Sequence, residues 1–266
     1  MRSLIRLGCV LGVFALAACG TRAPSSPTAW LNASIDLVDG RDTSARFRMW
    51  IELQRLDGEQ GPVRRMQLER RGDASSRDAG RFHIEAETQA ELFLDGELIS
   101  SGMIRDTQIG DGETRWLSIA RPDGQLPALR AHALDGAAGD AADPLTQTAA
   151  PIDLDPLSLL RLYAKHADWV EELASEKRYV MLIGSMTDAL DSEIKRLGSG
   201  YLPDRIRLSL DRDSALPIEL EIIADGHDRA ESGSAGKLKI RYLAWTVDAL
   251  ADSLFTTPES APPDGQ

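Results

Sequence analysis

Apolar and polar residues alternate with a period of two through most of this chain. From Arg46 to Leu56, Phe47, Met49, Ile51 and Leu53 alternate with Arg48, Trp50, Glu52 and Gln54, the spacing of a strand with one buried face. Asp57-Gly58 and Gly61-Pro62 supply a turn. Met66 and Leu68 then alternate with Gln67 and Glu69 in a second strand, expected to end at Gly72. A polar loop over 73–80 leads to a run from Phe82 to Glu87 and another over 90–94. Asp95-Gly96 lies between this and the alternating run 97–104, and an Asp-Gly pair so placed is a strong hairpin signal. Thr114 to Ala120 is a further strand, stopped by Pro122-Asp123-Gly124. The first half therefore reads as an antiparallel meander with one apolar face and one face rich in Arg, Glu and Gln.

Helical spacing enters at a few places. Trp30, Ala33, Ile35, Leu37 and Val38 suit a short helix ended by Asp39-Gly40. Residues 131–150 are mostly Ala, Gly, Asp and Thr and read as a low-complexity surface loop. Asp155-Pro156 then opens a helix, an N-cap followed by proline at the first helical position. Leu157, Leu160, Ala164 and Ala167 share one face of it, widened by Leu159, Leu162 and Tyr163. Strands are expected over 169–173 and 178–186; Tyr179 to Ile183 is apolar on both faces, which predicts cover on both sides. Thr187-Asp188 caps another helix through Leu190, Ile194 and Leu197, closed by Gly198 and Gly200. Strands over 205–211, 216–224 and 237–245 follow, the last two joined by a glycine-rich loop. Leu250 and Leu254 suit a half-buried turn, and 256–266 a disordered tail. The fold class is α+β, one domain over 29–255.

The amino terminus changes what this domain is attached to. Arg2 and Arg6 precede an apolar run from Leu7 to Ala18. At about twelve residues it is too short for the roughly 20 of a spanning helix, and it reads as an export leader. Leu16-Ala17-Ala18-Cys19 ends it and resembles the lipobox of bacterial lipoproteins. That resemblance implies cleavage before Cys19, a diacylglycerol on its sulfur and a further acyl chain, such as palmitate, on the new amino terminus. Two or more chains make membrane attachment stable. Gly20 after the cysteine implies the outer membrane, facing the periplasm, or the outer cell surface in a single-membraned host. Residues 19–28 then form a flexible tether.

Charge and cysteine content narrow the functions. The chain has 42 acidic and 30 basic residues, a net charge of −12, which argues against nucleic acid as a partner. Of the two cysteines, Cys9 leaves with the leader and Cys19 is committed to lipid, so neither an internal disulfide nor a thiolate catalyst is expected.

The order of elements resembles the half-barrel superfamily of the carrier LolA, the lipid-binding lipoproteins LppX and LprG, and the sensor RseB. The residues that carry this are Leu94-Asp95-Gly96-Glu97-Leu98, Asp155-Pro156-Leu157 with Leu160, and Leu216-Pro217-Ile218. The resemblance implies a strongly curved antiparallel sheet wrapped around a few helices, with an apolar cavity that accepts acyl chains. Independently, a sheet with one apolar face must be covered, and few short helices cover many strands poorly. What they leave open is a groove suited to a greasy ligand. Its candidate lining is Phe47, Met49, Ile51, Leu53, Met66, Leu68, Leu92, Leu94, Leu208, Leu220, Ile222 and Ile240. The competing reading is ordinary core, which any half-buried sheet requires.

No catalytic constellation stands beside this. His83, His132, His166 and His227 lack metal-ligand spacing, and His83 on a polar strand face reads as solvated. Asp36, Asp39 and Asp42 around Gly40 lack the closing Glu of a calcium loop. Ser232 to Gly236 is not a nucleophile elbow. Glu171-Glu172 point to opposite sheet faces. The expected function is therefore a membrane-anchored, non-enzymatic monomer, without metal or cofactor, that binds or transfers a lipid, acyl chain or lipidated protein. The alternative is a regulatory lipoprotein that contacts an envelope protein. The pairs Arg64-Arg65 and Arg70-Arg71 find no role in either reading.

Overall fold

A computed structural model describes residues 24, 26–39, 42–56, 62–77, 81–111, 114–120, 130–133, 155–171, 178–196, 203–224, 234–247 and 249–256. The lipobox, most of the tether and residues 134–154 lie outside these. Helix α1 (Pro27–Asp39) precedes strands β1 (Thr43–Leu56), β2 (Val63–Ser76), β3 (Arg81–Leu94), β4 (Glu97–Asp111), β5 (Thr114–Ala120) and β6 (Arg130–Ala133). Then follow α2 (Pro156–His166), β7 (Asp168–Glu171), β8 (Tyr179–Ser185), α3 (Asp188–Arg196), β9 (Arg205–Asp211), β10 (Pro217–Ala224) and β11 (Ser234–Val247). A 3-10 turn, Asp252–Phe255, comes last.

All eleven strands join one sheet in the order β6-β5-β4-β3-β2-β1-β11-β10-β9-β8-β7. Every neighbouring pair is antiparallel. Two meanders thus meet where β1 pairs with β11, and the sheet stays open, with β6 and β7 at its edges.

Alternation along β1 sorts the two faces. Thr43, Ala45, Phe47, Met49 and Ile51 are buried, whereas Arg46, Arg48 and Glu52 are exposed. The ladder carries this choice across the sheet, because directly paired residues point the same way. Met49 is paired with Ile240 and Arg70, Ile240 with Leu220, and Leu220 with Leu208. Trp30, Leu31 and Val38 of α1, Leu157 and Leu160 of α2, and Leu190 and Ile194 of α3 join these positions in one core. We call the face that shares this core the inner face.

The outer face is held by cross-strand ion pairs. Arg48 bonds Glu69 at 2.7 Å, Glu87 takes Arg71 at 3.0 Å and Arg105 at 2.7 Å, and Glu219 takes Lys239 at 2.7 Å and Arg241 at 3.1 Å. Arg71 and Arg105 hold the Glu87 carboxyl below the ordinary range. Exposed pairs of this kind contribute little stability individually; their main effect is to keep this face wet and the register unambiguous.

The local signals are realised in atomic detail. Asp95 and Gly96 have φ of 49° and 87°, the left-handed backbone that a two-residue hairpin turn needs. Asp95 Oδ1 also accepts from the Val63 amide at 2.9 Å, clipping this hairpin to the start of β2. Asp155 Oδ1 accepts the Leu157 amide at 2.9 Å and caps α2. Tyr242 donates its hydroxyl to the Pro156 carbonyl at 2.7 Å, which ties that helix end to the inner face. Burial, with Asp155 nearby, holds this phenol well above its usual pKa.

Several boundaries differ from expectation. Gly72 does not end β2, which runs on to Ser76 through what reads as the start of a polar loop. Continuous pairing with β1 on one side and β3 on the other carries the strand through, overriding the weak strand propensity of glycine. The runs 82–87 and 90–94 are one strand, and β4 extends to Asp111 for the same reason. Helix α1 begins at Pro27, inside the expected tether. Residues 131–133 of the expected loop belong to β6, which pairs with β5. Tyr179, Met181 and Ile183 are only half-buried, so β8 is fully covered on one side, not two. His83 is more enclosed than a solvated histidine, and burial lowers its pKa.

The carboxy-terminal turn is latched by one arginine. Arg77 donates to both oxygens of Asp42 at 3.0 and 2.9 Å, to the Leu250 carbonyl at 2.6 Å and to Asp252, and stacks on the Phe255 ring. The Leu250 amide adds a bond to Asp42 at 2.7 Å.

Two outcomes follow. The Arg77 hydrogen bond, then the Leu250 amide, lowers the Asp42 pKa. A carboxylate with a depressed pKa stabilises fully above about pH 4 and loses that contribution as pH falls through its lowered value. Protection of 249–256 from hydrogen exchange, taken relative to the unstructured rate at each pH, should therefore hold at neutral pH and fall under acid, while Asp42→Asn should lower it already at pH 7. Separately, a Cβ at Gly72 would lie 2.0 Å from the Glu85 carbonyl oxygen, so the β2 and β3 backbones must move apart to admit it. Urea titration should show Gly72→Ala destabilised by about 1–3 kcal/mol, the usual cost of overpacking.

Candidate functional site

The inner face is best followed in rows across the strands. On β2, the inward positions are 64, 66, 68, 70, 72, 74 and 76; on β3 they are 94, 92, 90, 88, 86, 84 and 82. On β4, Gly102 faces inward beside Ala90, Ile104 beside Thr88, and Asp106 beside Ala86. By this ladder every candidate lining residue lies on the inner face.

They do not share one environment. Phe47, Met49, Ile51, Leu208, Leu220, Ile222 and Ile240 are buried, none more than 7% exposed. These are core, packed with the helices. Leu53, Met66, Leu68, Leu92 and Leu94 are only partly buried. They cluster at the ends of β1–β3 nearest the Asp95-Gly96 turn, with Ala90 and the exposed Ile104 beside them. The division falls between Ile51 and Leu53 on β1, Leu68 and Arg70 on β2, Ala90 and Thr88 on β3, and Ile104 and Asp106 on β4.

At that division the apolar face gives way to charge. Arg70 is 3% exposed and Asp106 5% exposed. The two carboxylate oxygens accept from Nη1 and Nη2 of the guanidinium, the second bond 2.8 Å long. Arg70 Nη1 also donates to the Thr88 hydroxyl at 3.0 Å. Gln108 Nε2 donates to Asp106 at 2.8 Å, and its Oε1 accepts from Arg115. A polar chain therefore crosses four adjacent strands of the inner face. Arg70 Nε is buried without a hydrogen-bond partner.

This belt settles the two arginine pairs. Alternation sends Arg65 and Arg71 outward, to Glu52 and Glu87, and Arg70 inward, to Asp106. The expected end of β4 at Ile104 leaves Asp106 outside the strand, so Arg70, although within the expected β2, has no inward partner in the sequence reading. The signal was present: Arg70 stands two residues after Leu68, and Asp106 two after Ile104, so continuous strands place both inside.

Other candidates remain scattered. His166 ends α2 and His83 lies on the outer face. The side chain of His132 and all of His227 fall outside what the structure describes. Among the described residues, no group of three or more His, Cys, Asp or Glu is arranged to hold a metal ion, and no helix is long and apolar enough to cross a membrane.

No protein-family model matches the chain, and no curated protein does. Solved structures do. MucB in complex with MucA(peri) is 14% identical with a TM-score of 0.28, over 86% of this chain and 59% of that one. This chain thus spans well under two thirds of the MucB chain. A DUF1329 family protein from Desulfovibrio piger is 14% identical with a TM-score of 0.33, over 87% of this chain and 98% of its own. A Vibrio parahaemolyticus domain assigned as an outer membrane lipoprotein-sorting protein is 12% identical with a TM-score of 0.32, over 85% and 95%. At these overlaps they say nothing of ligand or partner.

The belt predicts an asymmetry in stability. Removing one partner of a buried pair strands the other charge, so Arg70→Leu or Asp106→Leu alone should cost about 3–5 kcal/mol. Replacing both with leucine should be near neutral or stabilising, since the desolvation penalty disappears with the pair. A double-mutant cycle by urea titration reads this directly.

Proposed function

We propose that this chain is a lipid-anchored, non-enzymatic protein of the bacterial cell envelope that binds or transfers a lipid or other acyl-bearing ligand. The ligand lies along the inner face of the sheet, over Leu53, Met66, Leu68, Leu92 and Leu94. The observation that supports this is the half-covered state of these side chains. They share a face with the sealed core of Phe47, Met49 and Ile240, against whose edge Leu53 and Leu68 pack, so apolar surface is left where burial is favourable, at about 0.8 kcal/mol per methylene covered. The lipobox-like Leu16-Ala17-Ala18-Cys19 supports attachment through Cys19 at a membrane, where such ligands are found. The half-barrel form of the open sheet belongs to the same reading, as does a site facing the periplasm.

The test uses a chain beginning at Gly20, which keeps every described residue. Native mass spectrometry after gentle purification should reveal a bound lipid, and an environment-sensitive fluorescent fatty acid should bind saturably. Leu68→Glu or Leu92→Glu places a charge on the half-covered surface and should weaken that binding at least tenfold, about 1.4 kcal/mol. Absence of bound lipid and of saturable probe binding, together with capture of one stoichiometric envelope protein, would replace this reading with the regulatory one.

A further inference from the structure

From the rim at Leu94 to Thr88 is a run of inward positions about 20 Å long, at 3.3–3.4 Å per residue. Within it, Leu68, Ala90, Leu92 and Met66 are uncharged and half-covered, with Arg64 and Glu97 at the rim. At its inner end stand Arg70, Thr88 and Asp106, all at most 5% exposed. Immediately behind them Ala74, Ile84, Ala86 and Phe47 are sealed, at most 7% exposed.

We propose that the Arg70–Asp106 bridge is a stop that limits how far an acyl chain can run along the inner face. The ligand class is then an unbranched chain of limited length, inserted tail first with its polar end at the rim. This rests on the acyl-binding reading above and adds a length limit to it. Two features of the belt carry the assignment. The first is its position, since inward side chains turn from half-covered to buried at Thr88 on β3 and from exposed to buried at Asp106 on β4, while Arg70 on β2 is buried beyond the half-covered Leu68. The second is its chemistry. Both guanidinium Nη atoms are already engaged by Asp106 and Thr88, and both Asp106 oxygens accept hydrogen bonds. A chain end that pushed further would have to break a bidentate ion pair with no water to replace its bonds, which is the costly way to open a buried pair. The half-covered wall takes each added methylene favourably until that point. Affinity should therefore climb with chain length and then level off.

The experiment uses the full-length gene product, processed in cells and reconstituted in phosphatidylcholine nanodiscs. Saturated fatty acids of graded length, each with a diazirine at the methyl end, are photolysed on it and the labelled residues located by mass spectrometry. Affinity is read for the same series by competition with a fluorescent fatty acid. In the unaltered protein, label should fall on Leu68, Ala90 and Ile104, with Phe47, Ile84 and Ala86 unlabelled, and affinity should reach a plateau. In Arg70→Leu/Asp106→Leu, label should move to Ile84 and Ala86, and the plateau should shift to longer chains. Label beyond the belt in the unaltered protein overturns the proposal, whether or not the double variant folds. An unmoved label and plateau in a folded double variant overturn it equally. If no probe of any length labels or competes, the acyl-binding reading falls, and the length limit falls with it.

Discussion

The pairing of β1 with β11 is the constraint on which the rest of this structure depends. It joins a strand near the start of the domain to one near its end, turning two local meanders into one sheet. Its register also decides which side of every other strand faces the helices. With Met49 opposite Ile240 and Ile51 opposite Leu238, a slip of one residue would present Arg48 and Trp50 to the core. The outer ladder of ion pairs penalises the same slip from the other side. Hydrophobic burial supplies the energy, and charge on the opposite face supplies the specificity.

That division of labour fails at one place, and the failure is informative. Arg70 and Asp106 sit on the apolar side, close to fully buried, with a bidentate bridge and two further hydrogen bonds to keep them there. An apolar pair of the same volume would hold the sheet at least as well. The bridge separates a face sealed by helices from one left half-covered. The interior is therefore not a uniform core but two regions divided by a polar belt.

The carboxy-terminal turn illustrates a second long-range tie. Arg77 at the end of β2 gathers Asp42 before β1 and the segment 250–255 after β11. The entrance and exit of the domain are thereby pinned at one corner, near the join between α1 and β1.

By itself the sequence determined the alternating runs of every strand but β6, the three helices, the two-residue turn at Asp95-Gly96, the cap at Asp155 and the apolar members of the inner face. Each of these follows from a local cause: a period of two or of 3.6, a backbone that must enter positive φ, or a side chain that satisfies a free amide. Only the tertiary structure decided how far β2 and β4 run, because strand ends depend on neighbours supplied from elsewhere in the chain. It alone separated Phe47, Met49 and Leu208, which are core, from Leu53, Met66 and Leu92, which are half-covered. These residues look alike in sequence, and what distinguishes them is whether a helix reaches over them. The meeting of Arg70 with Asp106, strangers in the chain brought side by side through β3, was likewise decided by the fold, since alternation sets the side a residue faces but not what waits for it there.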